Sequence, residues 1–211
     1  MRAGHLEDRR RGLVQDALAA RAGPTTAVLE IGAGTGKLLA SLAAQQPRVQ
    51  FDGIDVAPGM VEYARAQYRL PNLRYLLADV GRDPLPTTYQ FVYSIDVIHH
   101  IHQLSNALAA IRGAMDTGAT WLAIEPNVFH PYIFFHQERL RRAGFDEDHF
   151  RPWRVGPLFR QAGFEIAARR YAFLLPGWVK RPPRLLRASE HLCEGFPLLG
   201  GSVVYVLMAR T

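Results

Sequence analysis

Seven short runs of β-prone, largely apolar residues alternate with stretches of helical periodicity, and few folds can bury a chain written this way. The runs lie at 26–31, 50–55, 73–78, 90–96, 119–124, 164–174 and 202–209. Helical patterns occupy 6–21, 36–45, 58–69, 104–115 and 155–162, where apolar side chains recur every three to four residues. Gly23-Pro24 ends the first helix and Gly163 caps the last. Because the strands are nearly continuous in apolar residues, both of their faces must be covered, which predicts a parallel sheet between helical layers. Right-handed crossovers then leave few topologies open. The rhythm breaks twice, in long connections at 126–153 and 176–200; long connections in a compact domain usually serve function.

Where the first strand turns into the next helix, the chain reads Val28-Leu29-Glu30-Ile31-Gly32-Ala33-Gly34-Thr35-Gly36. Glycines there allow a tight turn and close approach of the backbone to a ligand. The dinucleotide fingerprint G-x-G-x-x-G fails, because Lys37 occupies the third glycine position. The phosphate loop G-x-x-x-x-G-K-[ST] fails too, with Ile31 at its first position and Leu38 after the lysine. What remains is E-x-G-x-G-x-G, with acids Glu30 and Asp55 at the carboxyl ends of strands, where open α/β sheets bind ligands.

This segment resembles motif I of the class I S-adenosylmethionine-dependent methyltransferases. The later segments are similar to that family's motifs in order. Phe51-Asp52-Gly53-Ile54-Asp55-Val56-Ala57-Pro58-Gly59-Met60 is similar to the second strand and its following turn, and Leu77-Ala78-Asp79-Val80 to the third. Phe91-Val92-Tyr93-Ser94-Ile95-Asp96-Val97-Ile98-His99-His100 is similar to the fourth, and Ile111–Ala119 to the turn before the fifth. The resemblance covers roughly residues 26–125. It implies a Rossmann-like, doubly wound α/β sheet of seven strands, order 3-2-1-4-5-7-6, the last strand antiparallel. It implies S-adenosyl-L-methionine as cofactor, held by Glu30, Gly32, Gly34, Gly36, Asp55, Val56, Met60, Asp79, Val80 and Asp96. Asp55 would take the ribose and Asp79 the adenine amino group.

Methyl transfer is an in-line displacement from a sulfonium, so the protein chiefly aligns the partners in a dry site. An oxygen nucleophile often also needs a base, and His99 and His100 follow strand four close to the expected methyl position. No metal is expected: His99, His100 and His102 are too close together for the usual zinc spacing, and no cysteine pair assists them. Strand four lacks the Asn/Asp-Pro-Pro-Tyr/Phe tetrad usual in nitrogen methylases of bases, and the sole Cys193 lies far from it, so a nucleic-acid acceptor is disfavoured. The aromatic connection supplies His130, Tyr132 and His136 to roof a small apolar or ring-bearing acceptor.

Net charge is +6, and its distribution matters more than its sum. Residues 139–187 hold 12 basic and 4 acidic side chains, an excess of +8, against 13 basic and 15 acidic over the rest. Arg139, Arg142, Arg151 and Arg154 are therefore candidates to steer an anionic or lipid-like acceptor. The alternative is an arginine-rich solvated surface, since 23 of the 25 basic residues are Arg. The expectation is one methyltransferase domain over 1–211, with 1–22 forming an N-terminal helix. That domain would be cytoplasmic by default, since a lone cysteine, the absence of an apolar leader and the absence of a membrane span fit that compartment. Lys180–Arg187 mixes charge with leucine, which leaves peripheral membrane contact open. The oligomeric state cannot be read. Two rivals to a small-molecule O-methyltransferase remain open here: an RNA or protein methyltransferase docking through 139–187, and a non-catalytic cofactor-binding module.

Overall fold

The computed structural model describes residues 4–21, 23–144, 151–175, 177 and 179–210. Its strands are β1 (Ala27–Ile31), β2 (Gln50–Asp55), β3 (Leu73–Leu77), β4 (Tyr89–Ile95), β5 (Met115–Pro126), β6 (Phe164–Ala172) and β7 (Ser202–Ala209). They form one sheet in the order β3-β2-β1-β4-β5-β7-β6. β1 through β5 pair in parallel, while β7 runs antiparallel to both β5 and β6. The helices are α1 (His5–Ala19), α2 (Lys37–Gln45), α3 (Pro58–Gln67), α4 (Leu104–Gly113), α5 (Pro131–Arg142), α6 (Pro152–Gln161) and α7 (Arg184–Cys193).

Successive strand residues serve opposite faces, as the pleat requires. Val28, Phe51, Tyr93 and Leu122 pack with Val14 and Leu18 of α1 and with α2 and α3. Leu29, Ile54, Val92 and Trp121 pack on the other face with α4 and α6. Burying apolar side chains on both faces is the main stabilisation such a sheet can have, and it explains why the strands lack clean alternation in sequence.

The elements differ from expectation in the two connections. Each contains a helix, α5 and α7, that periodicity did not reveal. α5 starts on Pro131 and, of its apolar side chains, leaves Tyr132, Phe134 and Phe135 exposed. α7 follows Pro182-Pro183 and exposes Leu185 and Leu186. The prolines that precede or open these helices, and the aromatic run Phe134-Phe135, break the pattern by which a helix is recognised in sequence. β5 also begins earlier than read, at Met115, because Gly118 takes a left-handed turn (φ +74°) within it. Phe145, His149 and Phe150, further aromatic residues of the 126–153 connection, lie outside the described residues.

Candidate functional site

The loop after β1 is tied to the end of β2: the Gly32 and Ala33 amides donate to the Ile54 carbonyl at 2.8 and 3.0 Å. Gly32, Gly34 and Gly36 all have positive φ, at +73°, +51° and +74°. Their surroundings separate them. A Cβ on Gly32 would stand 2.3 Å from Val97 Cγ2, and one on Gly36 2.6 Å from the Tyr75 ring, so these two admit close internal packing. A Cβ on Gly34 would meet nothing within 4 Å; this glycine faces open space.

A cavity of about 590 Å³ opens over the carboxyl ends of β1, β2 and β4, a size suited to a cofactor. Gly32, Asp55, Val56, Asp79, Val80, Asp96 and His100 are among its lining. Asp55 Oδ2 accepts the Gly34 N–H at 2.7 Å, and Oδ1 accepts the Ala57 N–H at 2.9 Å. Two backbone amides thus fix the carboxylate plane, and each oxygen retains a lone pair for a second donor, the arrangement a vicinal diol requires. Asp79 Oδ1 accepts the Gly81 N–H at 2.9 Å, and Val56 leaves 68% of its surface open beside it. An apolar side chain so exposed suits the face of a planar ring. These residues fit an adenosyl group.

The other expected cofactor residues stand outside that cavity. Met60 is half-exposed on α3. Glu30 is buried beneath the loop, with the Tyr93 phenol nearby, and its Oε2 has no hydrogen-bond partner. Burial, more than the neighbouring Asp55 charge, raises its pKa to about 8, against smaller opposing effects from Tyr93 and the Leu39 amide.

The two histidines after β4 part company. His99 is 3% exposed, and its Nδ1 lies 2.7 Å from Glu125 Oε2. Glu125, fully buried at the end of β5, also accepts the Val97 and Ile98 amides at 3.0 and 2.8 Å. It therefore holds the Ile98–His100 turn in shape. His99 belongs to that scaffold, and its ring backs the His100 ring at 3.9 Å between centroids. His100 is exposed and lines the cofactor-sized cavity.

A second cavity, of about 350 Å³, adjoins the first. Tyr132 and His136 line it from α5, their rings stacked 4° from parallel at 5.8 Å, together with Leu6, Ile133 and Phe173. Asp96 and His100 line both cavities. His130 does not join them: it caps α5 and keeps Nδ1 buried without a partner, so burial lowers its pKa. The four candidate arginines also stand apart, since none lines either cavity. Arg139 and Arg142 lie exposed on the last turn of α5, with Arg142 Nε donating to Glu138 at 2.8 Å; Arg151 caps α6 and Arg154 is exposed. On α5 the cavity face is carried by Ile133, His136, Gln137 and Leu140, and Arg139 and Arg142 lie off that face.

Among the described residues, the arginine that lines the second cavity is Arg10 of α1, which pairs with Asp96 at 2.7 Å. Nothing in Glu7-Asp8-Arg9-Arg10-Arg11 distinguishes it from a solvated helical face. Glu125 had a weak signal, as an acid between a buried strand and a proline. Among the described residues no group of three His, Cys, Asp or Glu is placed to hold a metal, and no helix is long and apolar enough to cross a membrane.

Residues 28–118 match the family model described as "Methyltransferase domain". A malonyl-[acyl-carrier protein] O-methyltransferase of Acetivibrio thermocellus is 36% identical over 67 residues, 32% of this chain and 24% of that protein. The chain thus spans about a quarter of the length of such curated relatives. Among solved structures, a chain of the Haloferax volcanii complex between the Trm112 methyltransferase activator and a methyltransferase superposes with a TM-score of 0.71, 20% identity and 98% and 92% coverage. The N-methyltransferase NodS of Bradyrhizobium japonicum, in complex with S-adenosyl-L-homocysteine, gives 0.67 at 13% identity, covering 99% and 89%.

Proposed function

Because the chain carries a methyltransferase domain of the class I, S-adenosylmethionine-dependent family, we propose that it methylates a small acceptor, on oxygen, in the second cavity. The observation that carries this reading is the shared wall: Asp96 and His100 border both cavities, so a ligand in one meets a ligand in the other there. The cofactor supplies a methyl group on a sulfonium. Asp55 holds the ribose diol with its two amide-fixed oxygens, and Asp79 receives the adenine amino group. Val56 and Val80 cover the ring. With the cofactor bound, an acceptor oxygen in the second cavity would face the sulfonium methyl group across the wall formed by Asp96 and His100. Alignment across the wall supplies most of the rate.

His100 is the histidine in place to take a proton from a hydroxyl acceptor, because His99 is committed to Glu125. Tyr132, His136 and Ile133 surround the acceptor's body. The oxygen acceptor agrees with the O-methyltransferase relative and with the missing Asn/Asp-Pro-Pro-Tyr/Phe tetrad. A volume of about 350 Å³ suits a small molecule better than a nucleotide chain.

Calorimetry with S-adenosylhomocysteine tests the cofactor half. Asp55→Ala is expected to weaken binding by about 1–3 kcal/mol, the loss of charge-assisted hydrogen bonds. Gly34→Val should also weaken it, since a β-branched residue is strained at φ +51° and displaces the amide that fixes Asp55. Tight binding retained by both variants would refute the assignment.

A further inference from the structure

Arg10 and Asp96 form an ion pair that is incomplete on both sides. Arg10 Nη2 meets Asp96 Oδ2 at 2.7 Å. Arg10 Nε and Asp96 Oδ1 are nevertheless buried and have no hydrogen-bond partner. Asp96 holds this position in a left-handed conformation, φ +56°, uncommon outside glycine though more accessible to Asp than to most residues. The pair stands at the wall between the cavities, but the two residues differ in outlook: Asp96 lines both, and Arg10 lines only the second.

The helix presenting Arg10 is anchored from the neighbouring residues. His5 and Arg9 reach Glu190 at 2.7 and 2.8 Å, so the guanidinium is offered from a fixed support. A buried, charged donor left unmet is costly, and a planar guanidinium best satisfies it with a carboxylate.

We propose that Arg10 receives the carboxylate of the acceptor, and that the second cavity selects small organic acids with an apolar body. This rests on the reading of that cavity as the acceptor chamber. Leu6, Ile133 and Phe173 provide the apolar wall. A hydroxyl or amine next to the carboxylate would donate to Asp96 Oδ1, so an acid bearing one satisfies both orphaned atoms. Asp96 opposes the binding of an anion by its charge. Its effect is limited because its charge is already shared with Arg10 Nη2, whereas the Nε donor has no other recipient.

The test uses the full chain loaded with S-adenosylhomocysteine, titrated with phenylacetate, mandelate and phenylacetamide. The first two are acids, mandelate with a 2-hydroxyl, and the third is the neutral isostere. The wild type is expected to bind both acids at least about tenfold more tightly than the amide, with mandelate the tighter acid. Arg10→Gln should erase the preference while shifting the S-adenosylhomocysteine Kd less than about twofold, and Arg10→Lys should keep part of it. Thermal midpoints of both variants check that α1 stays docked. Equal binding of acid and amide by the wild type, or an unchanged preference in Arg10→Gln, overturns the proposal. A loss of about tenfold or more in S-adenosylhomocysteine affinity in that variant also overturns it, by assigning Arg10 to the cofactor's own carboxylate. Failure of the wild type to bind S-adenosylhomocysteine at all would instead sink the underlying cofactor reading.

Discussion

At the scale of single residues, environment separates side chains that look equivalent in sequence. Glu30 and Asp55 both end strands and both face the same loop, yet Asp55 is held open to a ligand while Glu30 is sealed beneath the turn. That burial has a consequence for stability. In the unfolded chain Glu30 titrates near 4.5, and in the fold it keeps its proton to about 8. Between those values the folded state binds the additional proton, so this group's contribution to stability falls as pH rises from 4.5 to 8 and is level outside that window. Glu30→Gln removes the slope. Denaturant midpoints of the variant are expected to gain on the wild type steadily between about pH 5 and pH 8; parallel curves would show that Glu30 is already ionised in the fold. The strand-end acids were legible from spacing alone, but the protonation of Glu30 was not, because it depends first on burial beneath the folded loop and then on Tyr93, brought from another strand.

At the scale of elements, the site is walled by parts that carry little periodic signal. α1 is the one of these expected from sequence as a helix, and its buried residues are Val14 and Leu18. What places its first turns over the second cavity is Glu190 on α7. That carboxylate is 1% exposed, accepts from His5 and Arg9, and takes the Leu175 amide at 3.3 Å. Glu190→Ala leaves the Arg9 cation without this buried partner, at a cost of about 2–4 kcal/mol, toward the low end for a broken buried pair because Arg9 retains some water. The expected signature is local: amide exchange across His5–Ala19 accelerates while β1, β2 and β4 stay protected. Uniform loss of protection would mean that α1 is part of the global folding unit rather than a separately docked wall. α5 escaped the sequence reading because it shows Tyr132, Phe134 and Phe135 to the cavity or to solvent, and both α5 and α7 follow or begin on prolines inside long connections.

At the scale of the whole molecule, ligand binding and folding are linked. The cofactor-sized cavity is made from the ends of β1, β2 and β4 with the chain that follows β3, so a ligand there bridges segments that separate on unfolding. S-adenosylhomocysteine at about 100 times its Kd should add about 2.7 kcal/mol of stability. For a chain of this length that raises Tm by roughly 5–10 °C. Thermal denaturation with S-adenosylhomocysteine, and with NADH as a control that also carries an adenosine, reads the effect; an equal rise with both would dismiss the cavity's specificity. The basic segment 139–187 is also a whole-molecule property, and its charge is carried at least in part by exposed side chains such as Arg139, Arg142 and Arg154 rather than by either cavity.

The sequence by itself determined the sheet, the glycine loop and the row of strand-end acids. Each follows from a local rule: apolar runs that must be covered on both faces, positive φ that glycine permits, and a carboxylate at the point where a parallel strand stops. The tertiary structure alone decided which of two adjacent histidines lines the first cavity, and that Arg10 stands at the wall of the second. Those outcomes depend on contacts between distant segments. Glu125 on β5 claims His99, and Asp96 after β4 draws in Arg10 from the first helix. No periodicity within either segment encodes such a meeting; it exists only once the sheet has set the spacing between its strands and the helix has docked beside them.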